Sequence, residues 1–363
     1  MSDKPCILFV VPRLNIGGAE SHVITAATGL HRRGYRVLVA SWGGSLVQIL
    51  KKEGIPHFLI PVRLNEHLIG AMLAYLIREH NIDIVHANST AAGFGALHAC
   101  RKCNVPLVYT AHGVLGEPDL KLNEAKVIIC VSDFLRNFLL DSGFEAHKLE
   151  TVYNGIEVNK FAPDQKMYQA MRRKLGFEDK HFVIGLIARI KNGKGKGHND
   201  ILEVLRRNPQ TEDWRLMLVG KGKGELFLKY KAFREKLWDR TVFCGHQVNV
   251  PLYMQAMDTV VLPSRMETFG LALAEAQSMA KPVVAYATTG MIEAVEHAKS
   301  GLLVPYGNLD ELYKAICVYA NDRELAQRTG QYGRERVNSL FNSERMLDRL
   351  CTIYNRVWAD DKG

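Results

Sequence analysis

The chain has 363 residues, 47% of them apolar and 23% charged, and a formal net charge of +9, which predicts two domains of ordinary size and directs attention to anionic partners. No apolar run approaches the roughly 20 residues that a membrane-spanning helix needs. Met1 to Pro5 runs into an apolar strand without a signal-peptide pattern, and seven scattered cysteines exclude a disulfide framework, so a cytoplasmic protein is expected.

Taken in chain order, short β-branched runs alternate with helical stretches: CILFVV, RVLVAS, HFLIP, IDIVHA, PLVYTA and KVIICV, the last followed by a helix over Ser132 to Leu140. After a polar, Lys-rich stretch near Val158 to Lys180 the alternation restarts with HFVIGLIAR, WRLMLVG, TVFCG, DTVVLP and KPVVAYA. This reads as βαβ units building two parallel sheets, an α/β class of two doubly wound, Rossmann-like domains. The boundaries are 1–165, 166–342 and a terminal helix over 343–363, capped by Asn342 or Ser343 and apolar at Met346, Leu350, Ile353 and Val357. In such folds ligands bind at loops that follow strands, so a cleft between the carboxyl ends of the two sheets is expected.

Several of these loops carry chemistry. Gly17 and Gly18 in PRLNIGGAESH allow close backbone approach, and a helix opening near Ala19 would aim free amides at an anion. GLIARIKNGKGKGHND gathers Arg189, Lys191, Lys194 and Lys196 in a Gly-rich loop before a helix. Lysines are unfavourable there for the helix dipole unless an anion such as a diphosphate lies between. The P-loop pattern GxxxxGK[ST] is not satisfied. VGKGKGE, with Gly220, Gly222 and Gly224, is a third such loop, and a weak signal alone.

PSRMETFGLALAEA is the most informative stretch. A strand ending at Pro263 leads to a helix expected from about Phe269, so that the amides of Thr268, Phe269, Gly270 and Leu271 form a first turn suited to phosphate. Glu267 and Glu275 stand eight positions apart, a rise of about 12 Å if helical throughout. That is too far for one metal ion and too far for a retaining-glycosidase pair. It suits the two ends of an elongated ligand, since a carboxylate accepts two hydrogen bonds from a vicinal diol.

Over nearly its whole length the sequence resembles the retaining glycosyltransferases of family 4, which have the GT-B fold of two facing domains with a C-terminal helix crossing back to the first. GGAE, TAHG, VYNGIE, ARI before KGHNDILEVL, VGKG, the E-x7-E signature in PSRMETFGLALAEA, PVVA, GLLVP and FNSERM occur in family order. The resemblance implies transfer of a hexose or N-acetylhexosamine from a nucleotide diphosphosugar, UDP favoured over GDP, to an acceptor hydroxyl. A bacterial envelope glycan or glycolipid is the implied acceptor, and no metal or other cofactor is implied. Gly18 would approach the diphosphate or acceptor side, and Arg189 with Lys196 or Lys194 would bind the diphosphate, with Gly220 in the adjoining loop. Glu267 and the Thr268–Leu271 turn would hold sugar and phosphate, Glu275 the ribose diol, and His112 would lie at the reacting bond. HANS and TTGMIE, at 86–89 and 288–293, depart from the family's second histidine and GGxPE forms.

The alternative reading is a GT-B-like nucleotide-sugar epimerase. A nucleic-acid partner is not expected, because the lysines cluster in strand-end loops rather than along a face with interleaved aromatics. The basic pieces His31-Arg32-Arg33, Lys51-Lys52 and Arg172-Arg173-Lys174 permit peripheral contact with the inner face of a membrane, though solvated helix ends are the favoured reading.

Overall fold

The architecture is that of a computed structural model, which describes residues 4–191 and 195–362. The first sheet comprises β1 (Cys6–Val10), β2 (Arg36–Ser41), β3 (His57–Leu59), β4 (Ile84–Ala87), β5 (Leu107–Ala111), β6 (Val127–Cys130) and β7 (Leu149–Thr151). The second comprises β8 (Phe182–Ile187), β9 (Trp214–Val219), β10 (Thr241–Gly245), β11 (Thr259–Leu262), β12 (Val283–Tyr286) and β13 (Gly301–Val304). Their orders are β3-β2-β1-β4-β5-β6-β7 and β10-β9-β8-β11-β12-β13. Every ladder is parallel. β1, β4, β6, β11 and β12 are buried at every residue, because helices cover both faces of such sheets and each strand must be apolar on both sides.

The chain divides into two compact units, Met1–Gly155 with Ser343–Gly363, and Ile156–Asn342. The division lies ten residues before the sequence boundary at 165, because Ile156 already bridges Asn342 and donates to the Phe341 carbonyl at 2.7 Å. The helix Ser343–Lys362 buries Met346, Leu347, Leu350, Ile353, Tyr354 and Val357 in the core of the first unit. There it lies so close to the helix Gly18–Arg32 that a Cβ on Gly29 would meet Leu347 at 2.4 Å.

Two strands go beyond the runs expected from the sequence: β7, whose three residues Leu-Glu-Thr carry little apolar signal, and β13, which forms at the GLLVP motif. The stretch 158–180 holds a helix, Gln165–Lys174, rather than a polar connection. Arg172 on it is buried, paired with Asp258 at 2.8 Å and donating to the carbonyls of Glu178 and His181. It is therefore removed from any basic surface.

Candidate active site

Each sheet reverses its strand order once, between β1 and β4 and between β8 and β11, and the carboxyl ends of those strands frame a crevice. In the second unit both loops at that point converge. Gly197, with φ +74°, precedes the helix His198–Arg207, and a Cβ there would meet the Pro263 carbonyl oxygen at 2.2 Å. Arg265 donates its amide to the Gly195 carbonyl at 3.0 Å. The loops are thus joined backbone to backbone, and Lys196 pairs directly with Glu267. Their side chains retain 22% and 19% exposure, so the pair faces solvent while its stems are packed. Ser264 donates its hydroxyl to the same Glu267 oxygen at 3.0 Å.

The Glu267 backbone is clamped from the β12 side. The Thr289 hydroxyl accepts from the Glu267 amide at 3.0 Å and donates to its carbonyl at 2.7 Å, and the Gly290 amide donates to that carbonyl at 2.9 Å. Thr289 has φ +46°, a left-handed conformation that strains a β-branched residue by about 1–3 kcal/mol. A Cβ on Gly290 would strike the Thr268 carbonyl oxygen at 2.1 Å, so only glycine admits this approach.

The helix after Glu267 begins at Leu271, two residues later than expected, because Gly270 adopts φ +91° and turns the chain before the helix Leu271–Ser278. Leu273 and Ala274 already donate to the Gly270 carbonyl, which leaves the Leu271 and Ala272 amides as the open end of the helix. The Phe269 side chain is core, edge-on to Phe341 with ring centroids 5.1 Å apart, so only its backbone faces the turn. Glu267 lies outside the helix, and the 12 Å rise does not apply. Glu275 sits on that helix, where burial pushes its carboxyl up to about 7, Lys160 opposing and Glu157 adding to the shift.

Of the other donor-side expectations, Arg189 is exposed past β8 and makes no ion pair with a described residue. Lys194 lies outside the described residues. Gly220, φ +149°, is packed on the Ala188 carbonyl, where a Cβ would meet the oxygen at 2.0 Å. It shapes the end of β8 rather than offering open backbone.

At the first unit's strand ends the chemistry differs. Gly18 opens the helix Gly18–Arg32, and the Glu20 carboxylate folds over Gly17, 2.3 Å from where a Cβ would lie. His112, just past β5, places Nε2 3.2 Å from Asn88 Oδ1, and its ring meets that of His22 edge-on at 4.9 Å. Burial, then His22 and His86, hold the His112 imidazole well below its ordinary pKa. His86 is buried between Tyr354 Oη at 2.6 Å and Thr110 Oγ1 at 2.7 Å. His22 is pushed down to about 4 by burial, which outweighs the nearby Asn154, and neither ring nitrogen has a partner in hydrogen-bond geometry among the described residues. Among the described residues one cluster has metal-ligand spacing, Glu66, His67 and His98; it includes none of these groups.

Two family models match the chain, Glycosyltransferase Family 4 over residues 16–160 and Glycosyl transferases group 1 over residues 167–336. The chain is a family 4 glycosyltransferase. It is 25% identical to the N-acetyl-alpha-D-glucosaminyl L-malate synthase of Bacillus anthracis, over 81% of this chain and 80% of that one. It is also 25% identical to the UDP-Gal:alpha-D-GlcNAc-diphosphoundecaprenol alpha-1,3-galactosyltransferase of Escherichia coli, over 87% and 88%. Anabaena HepE, solved in complex with UDP and glucose, superposes with a TM-score of 0.87 at 25% identity, covering 96% of this chain and 99% of that one. The two-sheet architecture of this glycosyltransferase is accordingly the GT-B fold, and the epimerase alternative finds no support among these relatives.

The glycosyltransferase carries further groups that the sequence did not mark. Ser264, Thr289 and Gly290 hold Glu267, a role that the departure of TTG from the family form does not reveal. One histidine on an amphipathic helix gives no signal in sequence, and the position of His22 acquires meaning only with His112 beside it.

Proposed function

We propose that this glycosyltransferase moves a hexose or N-acetylhexosamine, with retention, from a UDP-sugar to a hydroxyl of a bacterial envelope glycan or glycolipid. The observation that carries the reading is the junction of Lys196, Glu267, Ser264 and the open Leu271 and Ala272 amides at the β8/β11 switch point. A cation, a carboxylate and a helix N-terminus side by side suit a substrate with a diphosphate next to a polyol. UDP is favoured because the HepE complex contains it and the Escherichia coli relative is named for UDP-Gal. The envelope acceptor rests on the diphosphoundecaprenol in the Escherichia coli relative's name.

In the proposed step the bond from the anomeric carbon to the diphosphate oxygen breaks and a bond to the acceptor oxygen forms on the same face. The acceptor proton passes to the departing phosphate. Lys196, Arg189 and the helix amides stabilise the charge that develops on the leaving group, the task a metal ion performs elsewhere. Glu267 binds the sugar hydroxyls, Glu275 the ribose diol, and Gly18 approaches the diphosphate. His112, neutral at pH 7, offers a hydrogen bond to the transferred sugar.

Thermal-shift screening across UDP-, GDP- and ADP-sugars, followed by NMR of the product anomer, tests this. Stabilisation by UDP-sugars, an α-linked product from an α-donor, and turnover unchanged by EDTA are expected. An inverted product, or turnover lost to EDTA and restored by Mg2+, would sink the mechanism.

A further inference from the structure

The helix Glu225–Arg234, between β9 and β10, is apolar on two sides. Leu228 and Ala232 fill the core beneath it. On the opposite side Leu226, Phe227, Tyr230 and Phe233 form a stripe at helical spacing, with Leu226 82% and Phe233 71% exposed. Trp238, 47% exposed, extends the stripe beyond the helix end. An outward face of an α/β unit needs no such residues, and a contiguous apolar patch rimmed by charge marks a surface that meets something else.

The rim names the occupant. Residues 221–240 hold seven Lys and Arg against three Asp and Glu. Two of the three acids are engaged locally, Glu225 with Lys229 and Glu235 with Arg206 and Arg234. Lys221, Lys223, Lys231 and Lys236 have no ion-pair partner among the described residues. A protein interface of this apolarity would be depleted of lysine. Lysines that flank an aromatic stripe instead suit a bilayer, their heads reaching anionic lipid while Phe, Tyr and Trp enter the headgroup boundary.

We infer that this helix docks the protein on an anionic lipid surface. The site differs from the basic pieces that the sequence singled out: Arg172 is buried, and Arg32 and Arg33 are paired with Glu53, Glu344 and Asp348.

The test is flotation of the full-length protein with phosphatidylglycerol-rich vesicles and with pure phosphatidylcholine vesicles. Capture by the anionic vesicles that weakens with salt is expected, with about tenfold less capture for Tyr230→Ser/Phe233→Ser and for Lys231→Glu/Lys236→Glu. Phe227 is left intact because it lines the recess that also contains Lys196. Circular-dichroism melts check that the variants fold, and Leu226→Gln repeats the test if the double serine variant does not. The inference is overturned if the wild type ignores anionic vesicles or if folded variants bind them as it does. It is equally overturned if light scattering shows a dimer that the variants dissociate while no vesicle is bound. Vesicle capture is read without turnover, so the result stands apart from that of the donor assignment.

Discussion

Two crevices of equal topology in this glycosyltransferase carry opposite chemistry. At the β1/β4 switch point the groups are imidazoles held neutral by burial, His22, His86 and His112, surrounded by amides and hydroxyls. At the β8/β11 switch point they are charged and partly solvated, with Lys196 paired to Glu267. The parallel sheets supply only strand ends; the chemistry belongs to the few residues set there. A neutral crevice suits hydroxyls, and a charged one a diphosphate and its sugar.

The largest expected effect breaks the charged side. Glu267→Ala orphans Lys196 and, in the proposed site, removes the carboxylate that accepts hydrogen bonds from the donor sugar, so kcat should fall about a hundredfold or more with little change in nucleotide affinity. Steady-state kinetics beside UDP calorimetry separate the two. An unchanged kcat would mean that Glu267 is no more than a structural partner of Lys196.

Next is acid stability, which reads the neutral side. The folded pKa of His22, about 4, lies below its ordinary 6.5, so the unfolded chain takes up the proton first. Its contribution is complete above about pH 6.5 and is lost as pH falls toward 4, about 2 kcal/mol by pH 5. His198, also pushed down to about 4 by burial, gives the second unit a similar slope. His22→Gln and His198→Gln should each flatten denaturant stability between pH 7 and pH 5.

Glu275 runs the other way. Its carboxyl, raised to about 7, can accept from both hydroxyls of the proposed ribose diol through its two oxygens only when ionised, so UDP affinity should weaken about tenfold from pH 8 to pH 6. Calorimetry on Glu275→Gln should find weaker binding without that slope. Because the folded state disfavours this carboxylate above the unfolded pKa near 4.5, the same variant should unfold later than wild type at pH 8.

The smallest effect concerns Thr289. Thr289→Val keeps the strained backbone and forfeits two hydrogen bonds, costing about 1 kcal/mol in stability and loosening Glu267. Thr289→Gly forfeits the same bonds but relieves φ, and should be milder. A kcat that drops in both variants while KM holds would mark Thr289 as a positioning residue.

Most of the fold was legible because parallel strands need continuous apolar runs, and eleven of them stood out between helices. β7 and β13 escaped because short edge strands bury less and carry less pattern. Within the site, Lys196 and Glu267 were legible as residue types in strand-end loops, but their mutual pairing was not, since they are separated by 71 positions. The late helix start at Leu271 depends on Gly270 turning left-handed, which sequence permits without requiring. The buried imidazoles were least legible: His22 and His112 stand ninety positions apart, and only the folded sheet makes them neighbours.

The close approaches of Gly197 to Pro263 and of Gly290 to Thr268 bear on how this enzyme can be re-engineered. Neither loop can be reshaped alone, because a methyl group at either glycine would be driven into a carbonyl of the segment that holds Glu267. A library that randomises 263–268 against the existing neighbours will therefore sample side chains on one fixed backbone trace. New donor preferences should come from outward-facing positions such as Arg265 and Met266, whereas a change of loop length would require compensating changes in all three segments.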